Sequence, residues 1–264
     1  MKNTSNHTFV VLAYKKSEYL EECIKSVLNQ SVKTNVIIAT STPNEYITML
    51  AKKYNLDIIV NDNSKGIGYD FDFAINCANS KLVTVSHQDD IYDYKYAEYI
   101  LEYYNKYKDA TIIFPNYYEI KNGQKITNSV NLKIKRFLLL GLLINKINKY
   151  KFIKRNSLRF GTAIGCPSVT FVKDNIPSKI FQCEMKCDID WFGWEKLSKQ
   201  KGRFVYIPKY LMGHRIHCDS TTTEIIQNKV RVKEDYQMFL KFWPKPIAKI
   251  LTFFYKNSEK NNSV

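Results

Sequence analysis

The stretch VTVSHQDDIYD, residues 83–93, breaks an apolar run into His87, Gln88, Asp89 and Asp90. Two adjacent carboxylates repel each other and cost stability unless a cation or a strong donor set answers them. Carboxylate oxygens suit Mg2+ and Mn2+, and Mg2+ commonly binds through one or two carboxylates together with substrate phosphates. Asp89 is assigned to such a cation. Asp90 either joins it or caps the helix that follows. A rival constellation is Cys183-x3-Cys187 with His214-x2-His217, a tolerable zinc spacing split loosely between two segments. Other chemistries lack their residues. There is no GxxxxGK phosphate loop and no GxSxG nucleophile elbow. KGIGYD (65–70) carries only the first part of a dinucleotide fingerprint and follows an Asn-Ser loop.

The elements that must hold these residues alternate. TFVVLAY (8–14), NVIIAT (35–40), DIIVN (57–61), KLVTVS (81–86) and TIIF (111–114) read as buried strands. Between them Leu20, Cys23, Ile24, Val27 and Leu28 recur at helical spacing, with Ser17 placed to cap their helix. Helices are also expected over 46–54, from Tyr69 to Ala78 and over 94–107. In the second of these, Asp70 and Asp72 are two apart and do not share a face; either could contact the sugar of a ligand, and Asp72 reads rather as solvated surface. Strand–helix alternation predicts an α/β fold with a mostly parallel sheet covered on both faces. Ligands bind such sheets outside the carboxyl ends of the strands, where Asp89 and Asp90 stand. After residue 120 the rhythm changes. Segment 121–160 shows no clear strand pattern, 168–172 and 203–208 read as strands, 190–202 as a helix, and 222–254 as one or two helices interrupted by WPKP. The expected units are 1–120, 121–220 and a helical extension over 221–264.

The chain has 264 residues and a formal net charge of +15. The excess is local, because no Asp or Glu occurs from Ile120 to Lys173 while Lys and Arg are frequent there. A one-signed segment attracts anions: nucleic acid, anionic lipid or a phosphorylated substrate. Nucleic acid is disfavoured, since no RNP-type or zinc-finger motif is present and the carboxylates would have no purpose. The longest apolar run, FLLLGLLI (137–144), falls well short of the ~20 residues of a spanning helix. Embedded among lysines, it reads either as an interfacial helix on an anionic membrane or as a core-packed helix with a solvated flank. The N-terminal stretch lacks a signal-peptide pattern, so a cytoplasmic protein with six free thiols, peripheral to the membrane at most, is expected.

FVVLAYKKSEYLEECIKSVLNQS (9–31) resembles the opening strand and helix of family 2 glycosyltransferases, and Lys65–Asp90 is similar to the family segment ending in its DxDD-type motif. The resemblance implies a GT-A fold and transfer of a sugar, with inversion, from a nucleotide-diphosphate donor to a saccharide or lipid-linked acceptor in cell-surface polysaccharide synthesis. By position, Asp89 matches the second Asp of the metal-binding motif, with Mn2+ or Mg2+ as cofactor, and His87 stands at the first. Imidazole there suits Mn2+ better than Mg2+, or else contacts ribose or phosphate. The resemblance places Ala13, Tyr14, Thr40, Ser41, Asp70, His87, Gln88 and Asp89 along the nucleotide sugar. Thr40, Ser41 and Thr42 stand where the family has an Asp for the base. CDIDWFGWEKL (187–197) and HRIHCDS (214–220) look like the family's later blocks. They make Asp190 the catalytic base, with Asp188 its competitor, and bring His217 to the metal or diphosphate. A catalytically impaired scaffold of the same fold is the alternative.

Overall fold

The computed structural model describes residues 5–216 and 229–260. Four runs of branched apolar residues form the parallel part of its sheet: β1 (His7–Ala13), β2 (Asn35–Thr40), β3 (Ile58–Val60) and β4 (Leu82–His87), in the order β3-β2-β1-β4. β1 is covered on both sides, so its apolar residues run continuously instead of alternating. Val10 faces one buried cluster, and Phe9 and Val11 face the other. The crossovers are α1 (Leu20–Leu28), α2 (Glu45–Tyr54) and α3 (Ile67–Cys77). The Asn44 side chain caps α2 by accepting the Ile47 N–H. Ser17 does not cap α1: the helix starts after Tyr19, and the Ser17 hydroxyl meets only the Tyr19 N–H, at 3.3 Å.

Past β4 come β5 (Ile91–Tyr92), α4 (Tyr96–Lys106), β6 (Ala110–Lys121), β7 (Gln124–Ile126), α5 (Val130–Leu139), α6 (Lys151–Asn156), β8 (Thr170–Val172), α7 (Ile189–Ser198), β9 (Arg203–Ile216), α8 (Lys229–Leu240) and α9 (Lys245–Lys260). The sheet continues β4-β8-β6-β9-β5. β8 runs antiparallel to β4 and β6, β6 and β9 are parallel, and β5 returns antiparallel beside β9. The parallel sheet foreseen from the alternation therefore becomes mixed in its second half.

Two strands are longer than their apolar runs. β6 extends to Lys121 and turns into β7 through Asn122 and Gly123, both at positive φ (49° and 74°). An Asn-Gly pair in this conformation is the favoured tight hairpin turn. β9 runs through Pro208, with the register against β6 slipping between Pro115 and Asn116. The slip lets two prolines sit in paired strands without breaking the ladder.

The C-terminal helices are anchored on α7. Trp191 is fully buried, edge-on to Phe239 of α8 and packed against Tyr255 of α9. FLLLGLLI is part core and part surface. Leu139 and Leu142 enter the core, whereas Phe137, Leu140, Leu143 and Ile144 are exposed. No helix among the described residues is long and apolar enough to cross a membrane.

Candidate active site

β4 delivers His87, Asp89 and Asp90 at its carboxyl end, and one ligand atom from each lies within 4.8 Å of the others. Asp90 is fully buried and does not cap α4, which begins six residues on at Tyr96. Its Oδ1 accepts the Arg215 backbone N–H at 2.9 Å and pairs with His214 Nδ1 at 3.0 Å. Its Oδ2 is buried with no hydrogen-bond partner, and so is His87 Nε2. Burial lowers the His87 pKa against the opposing pull of Asp90 and Asp89, which favours the neutral imidazole that a metal requires. Two orphaned buried acceptor positions beside Asp89 fit a divalent cation, since such groups otherwise carry a desolvation penalty. These residues match the metal implied by the motif. Among the described residues the zinc set is not assembled: Cys183 and Cys187 lie beside Glu234, while His214 pairs with Asp90. His217 lies outside the described residues.

Asp190 stands in the first turn of α7, its Oδ1 accepting the Trp191 N–H at 2.7 Å. Burial pushes its pKa up, against the Trp191 N–H and the positive charges of Arg231 and Lys135, and His87 is near enough to act on it as well. The carboxylate of 190 is thus within electrostatic reach of the cluster at 87–90. The competing Asp188 is buried, with its pKa raised to about 9 by burial and by the facing Asp235. A carboxyl held protonated beside a second acid is a poor proton acceptor at neutral pH.

The remaining sequence-assigned residues divide. Tyr14 is 49% exposed at the end of β1, whereas Ala13 is buried. Gln88 clamps the two strand ends: its Oε1 accepts the Tyr14 N–H at 2.9 Å and its Nε2 donates to the Tyr14 carbonyl at 3.0 Å. Thr40 is buried, and its hydroxyl accepts the Thr42 N–H. Ser41 donates to Asp70 Oδ2 at 2.9 Å, and Asn61 donates to Asp70 Oδ1 at 2.7 Å. Thr40, Ser41, Gln88 and Asp70 are thus held by bonds within the protein at the carboxyl ends of β1, β2 and β4 and on α3. Asp72 is not solvated surface. It is 2% exposed and accepts the N–H groups of Ile180, Phe181 and Gln182.

Sequence reasoning missed several residues. Lys135 of α5 donates to the Tyr117 hydroxyl at 2.7 Å and acts on Asp190. Arg215 reaches the Asp89 carbonyl at 3.0 Å and Glu22 at 2.6 Å, tying α1 to the acidic loop. Glu234 of α8 accepts the N–H groups of Lys186, Cys187 and Asp188, and so holds the start of α7 that carries Asp190. Only Arg215 had a local signal, as the Arg of HRIHCDS (214–220).

The fold has solved counterparts. Over 93% of this chain and 70% of that one, it is similar to residues 1-349 of S. aureus TarS in complex with UDP-GlcNAc, with a TM-score of 0.63 and 14% identity. A second structure of S. aureus TarS is similar over 93% of this chain and 42% of that one, with a TM-score of 0.59 and 12% identity. The mannosyltransferase PcManGT from Pyrobaculum calidifontis, in complex with GDP-Man and Mn2+, is similar over 95% of this chain and 69% of that one, with a TM-score of 0.61 and 11% identity. At these identities the likeness establishes the GT-A fold. No curated protein matches significantly. The sequence profile described as Glycosyl transferase family 2 matches residues 8–179, well over half the chain. With the acidic strand end and every strand of the sheet except β9 in the matched stretch, the chain belongs to glycosyl transferase family 2.

Proposed function

We propose that the protein is a metal-dependent, inverting glycosyltransferase acting on a nucleotide-diphosphate sugar, with Asp190 as its general base and a saccharide or lipid-linked hydroxyl as acceptor. The observation that carries this reading is a half-buried carboxylate of raised pKa, Asp190, within electrostatic reach of a His-Asp-Asp group with two orphaned ligand atoms. Asp190 takes the proton from the acceptor hydroxyl as that oxygen attacks the anomeric carbon. The bond from that carbon to the diphosphate breaks, and the nucleoside diphosphate leaves with the electron pair. A raised pKa makes Asp190 a better proton acceptor once ionised, and Arg231 and Lys135 favour the ionised form. His87, Asp89 and Asp90 would hold Mn2+ or Mg2+, which supplies charge stabilisation to the leaving diphosphate when bound. Arg215 and Gln88 fix the loop carrying those ligands. A cytoplasmic location and a role in cell-surface polysaccharide synthesis complete the proposal.

The test is a thermal-shift panel of nucleotide sugars with Mn2+ or Mg2+, followed by product analysis. A donor at 100 times its Kd stabilises the fold by about 2.7 kcal/mol. Asp190→Asn should abolish transfer yet keep the donor-induced shift, and Asp89→Ala should remove the metal dependence of that shift. Full turnover by Asp190→Asn, or the same metal dependence in Asp89→Ala, would overturn the assignments.

A further inference from the structure

Large apolar side chains left in solvent are concentrated in two stretches. Of the 21 exposed ones among the described residues, 14 fall within 130–160 and 240–254. In α5, Val130, Ile134 and Phe137 recur at i, i+4 and i+7 and are 74%, 52% and 69% exposed, while Leu132 and Leu139 on the other side are buried. In α9, Ile247, Ile250, Phe253 and Phe254 form an outward stripe about 120° wide at the helical repeat. The opposite side, Ala248 and Thr252, is buried against the body. Both helices therefore carry an apolar face inward and another outward, which folding alone does not require.

The two stretches meet. The Phe160 ring lies 5.3 Å from that of Trp243, between α8 and α9, and a side chain at Gly161 would run into Tyr255 of α9. Phe152 of α6, eight residues before Phe160, is 72% exposed. The charge around this face has one sign. Lys245, Lys249 and Lys256 border the α9 stripe along one edge, and no acidic residue occurs in 245–256 or between Ile120 and Lys173. Contiguous exposed apolar area beyond a few hundred Å2 marks an interaction surface.

We propose that this face, made by α5, α6 and α9, docks the protein on an anionic lipid surface. Apolar side chains buried at the headgroup boundary and lysines facing anionic headgroups are the two ingredients of interfacial helix binding. A second copy of the chain is the poorer occupant. A two-fold contact lays a patch against itself, and here that would bring Lys245, Lys249 and Lys256 against their own copies. The inference does not rest on the sugar-transfer reading, because it is measured without donor or acceptor.

The test is co-sedimentation of the full chain with vesicles of phosphatidylcholine alone and of phosphatidylcholine mixed equally with phosphatidylglycerol, at low and high salt, alongside light scattering for oligomeric state. The expected result is binding to the anionic vesicles only, weakened by salt. Lys249→Ala should lower partitioning about fivefold. Ile250→Glu with Phe253→Glu should lower it by more than about tenfold. All three positions are solvent-facing, so melting curves should match the parent; if the double variant fails to fold, Lys249→Ala decides alone. Absence of binding to anionic vesicles at low salt, equal binding to neutral ones, or a dimer broken by the same substitutions without vesicle binding would overturn the proposal.

Discussion

Asp72→Ala tests how the segment ahead of α7 is held to α3. Asp72 lies on α3, and its oxygens accept from Ile180 at 2.8 Å, from Phe181 at 3.1 and 3.2 Å, and from Gln182 at 3.2 Å. Those residues lead directly into α7. Removing the carboxylate leaves three backbone donors without an acceptor, each costing about 1–3 kcal/mol when it stays buried. Two effects reduce the sum. The Gln182 end is partly exposed, so water can answer it. Deleting the group also removes the cost of burying a carboxylate, which is what raises the Asp72 pKa despite its three donors. The expected net loss is about 3–5 kcal/mol. Urea unfolding should show a lower midpoint at unchanged slope. Asp72→Asn keeps one acceptor oxygen but turns an amide donor toward the Gln182 N–H, and should lose about half as much. Because the anchored loop precedes Asp190, the Asn variant should lose kcat more than donor affinity. A loss below about 1 kcal/mol for the Ala variant, at unchanged slope, would show that the three contacts do not hold the loop.

Gly68→Ala probes the same seam from its other side. A Cβ there would stand 2.3 Å from the Phe181 carbonyl oxygen, a backbone atom that cannot swing away. A loss of about 1–3 kcal/mol is expected, seen as a melting point lower by roughly 2–4 °C per kcal/mol for a chain of this size; an unchanged melting point would refute the close packing. His7 governs acid stability. It is fully buried against Thr84, and burial lowers its pKa from 6.5 to about 3. The folded state binds this proton less readily than the unfolded one, so its contribution is complete above pH 6.5 and is lost as pH falls toward 3, at about 1.4 kcal/mol per pH unit. His7→Gln should remove that slope from stability measured across the window, and an identical slope in both proteins would exclude His7 as its source.

What the sequence reveals follows from the range of each interaction. β1, β2 and β4 are legible because burial on both faces writes a continuous apolar run. The acidic group is legible because His87, Asp89 and Asp90 are neighbours in the chain. Asp72 was misread as surface because its three partners lie more than a hundred residues away, and nothing near it in sequence marks a buried carboxylate. Lys135 and Glu234 are hidden for the same reason. The β6–β7 hairpin is a different case. Its Asn122-Gly123 turn signal was present, but the basic, partly apolar segment beyond it has no alternation to support a strand. FLLLGLLI could not be assigned to core or surface from its own residues, because both roles are true of alternate side chains.

The strand-end carboxylates can now be treated separately. Asp90 is answered on one oxygen by the Arg215 N–H and by His214. Burial alone would lower the His214 pKa, yet the charge and hydrogen bond of Asp90, with Asp89 behind, raise it, so His214 is the more readily protonated of the two site histidines. His87 is pushed the other way by burial, although the same carboxylates act on it. The pair is thus divided into a histidine whose protonation Asp90 favours and one whose protonation burial opposes. If the cluster were only a structural ion pair, both histidines would gain by protonation, and neither His87 Nε2 nor Asp90 Oδ2 would be left buried without a partner. The division is what a divalent cation requires: neutral nitrogen and ionised oxygen turned to one point, with the neighbouring charge balanced from behind.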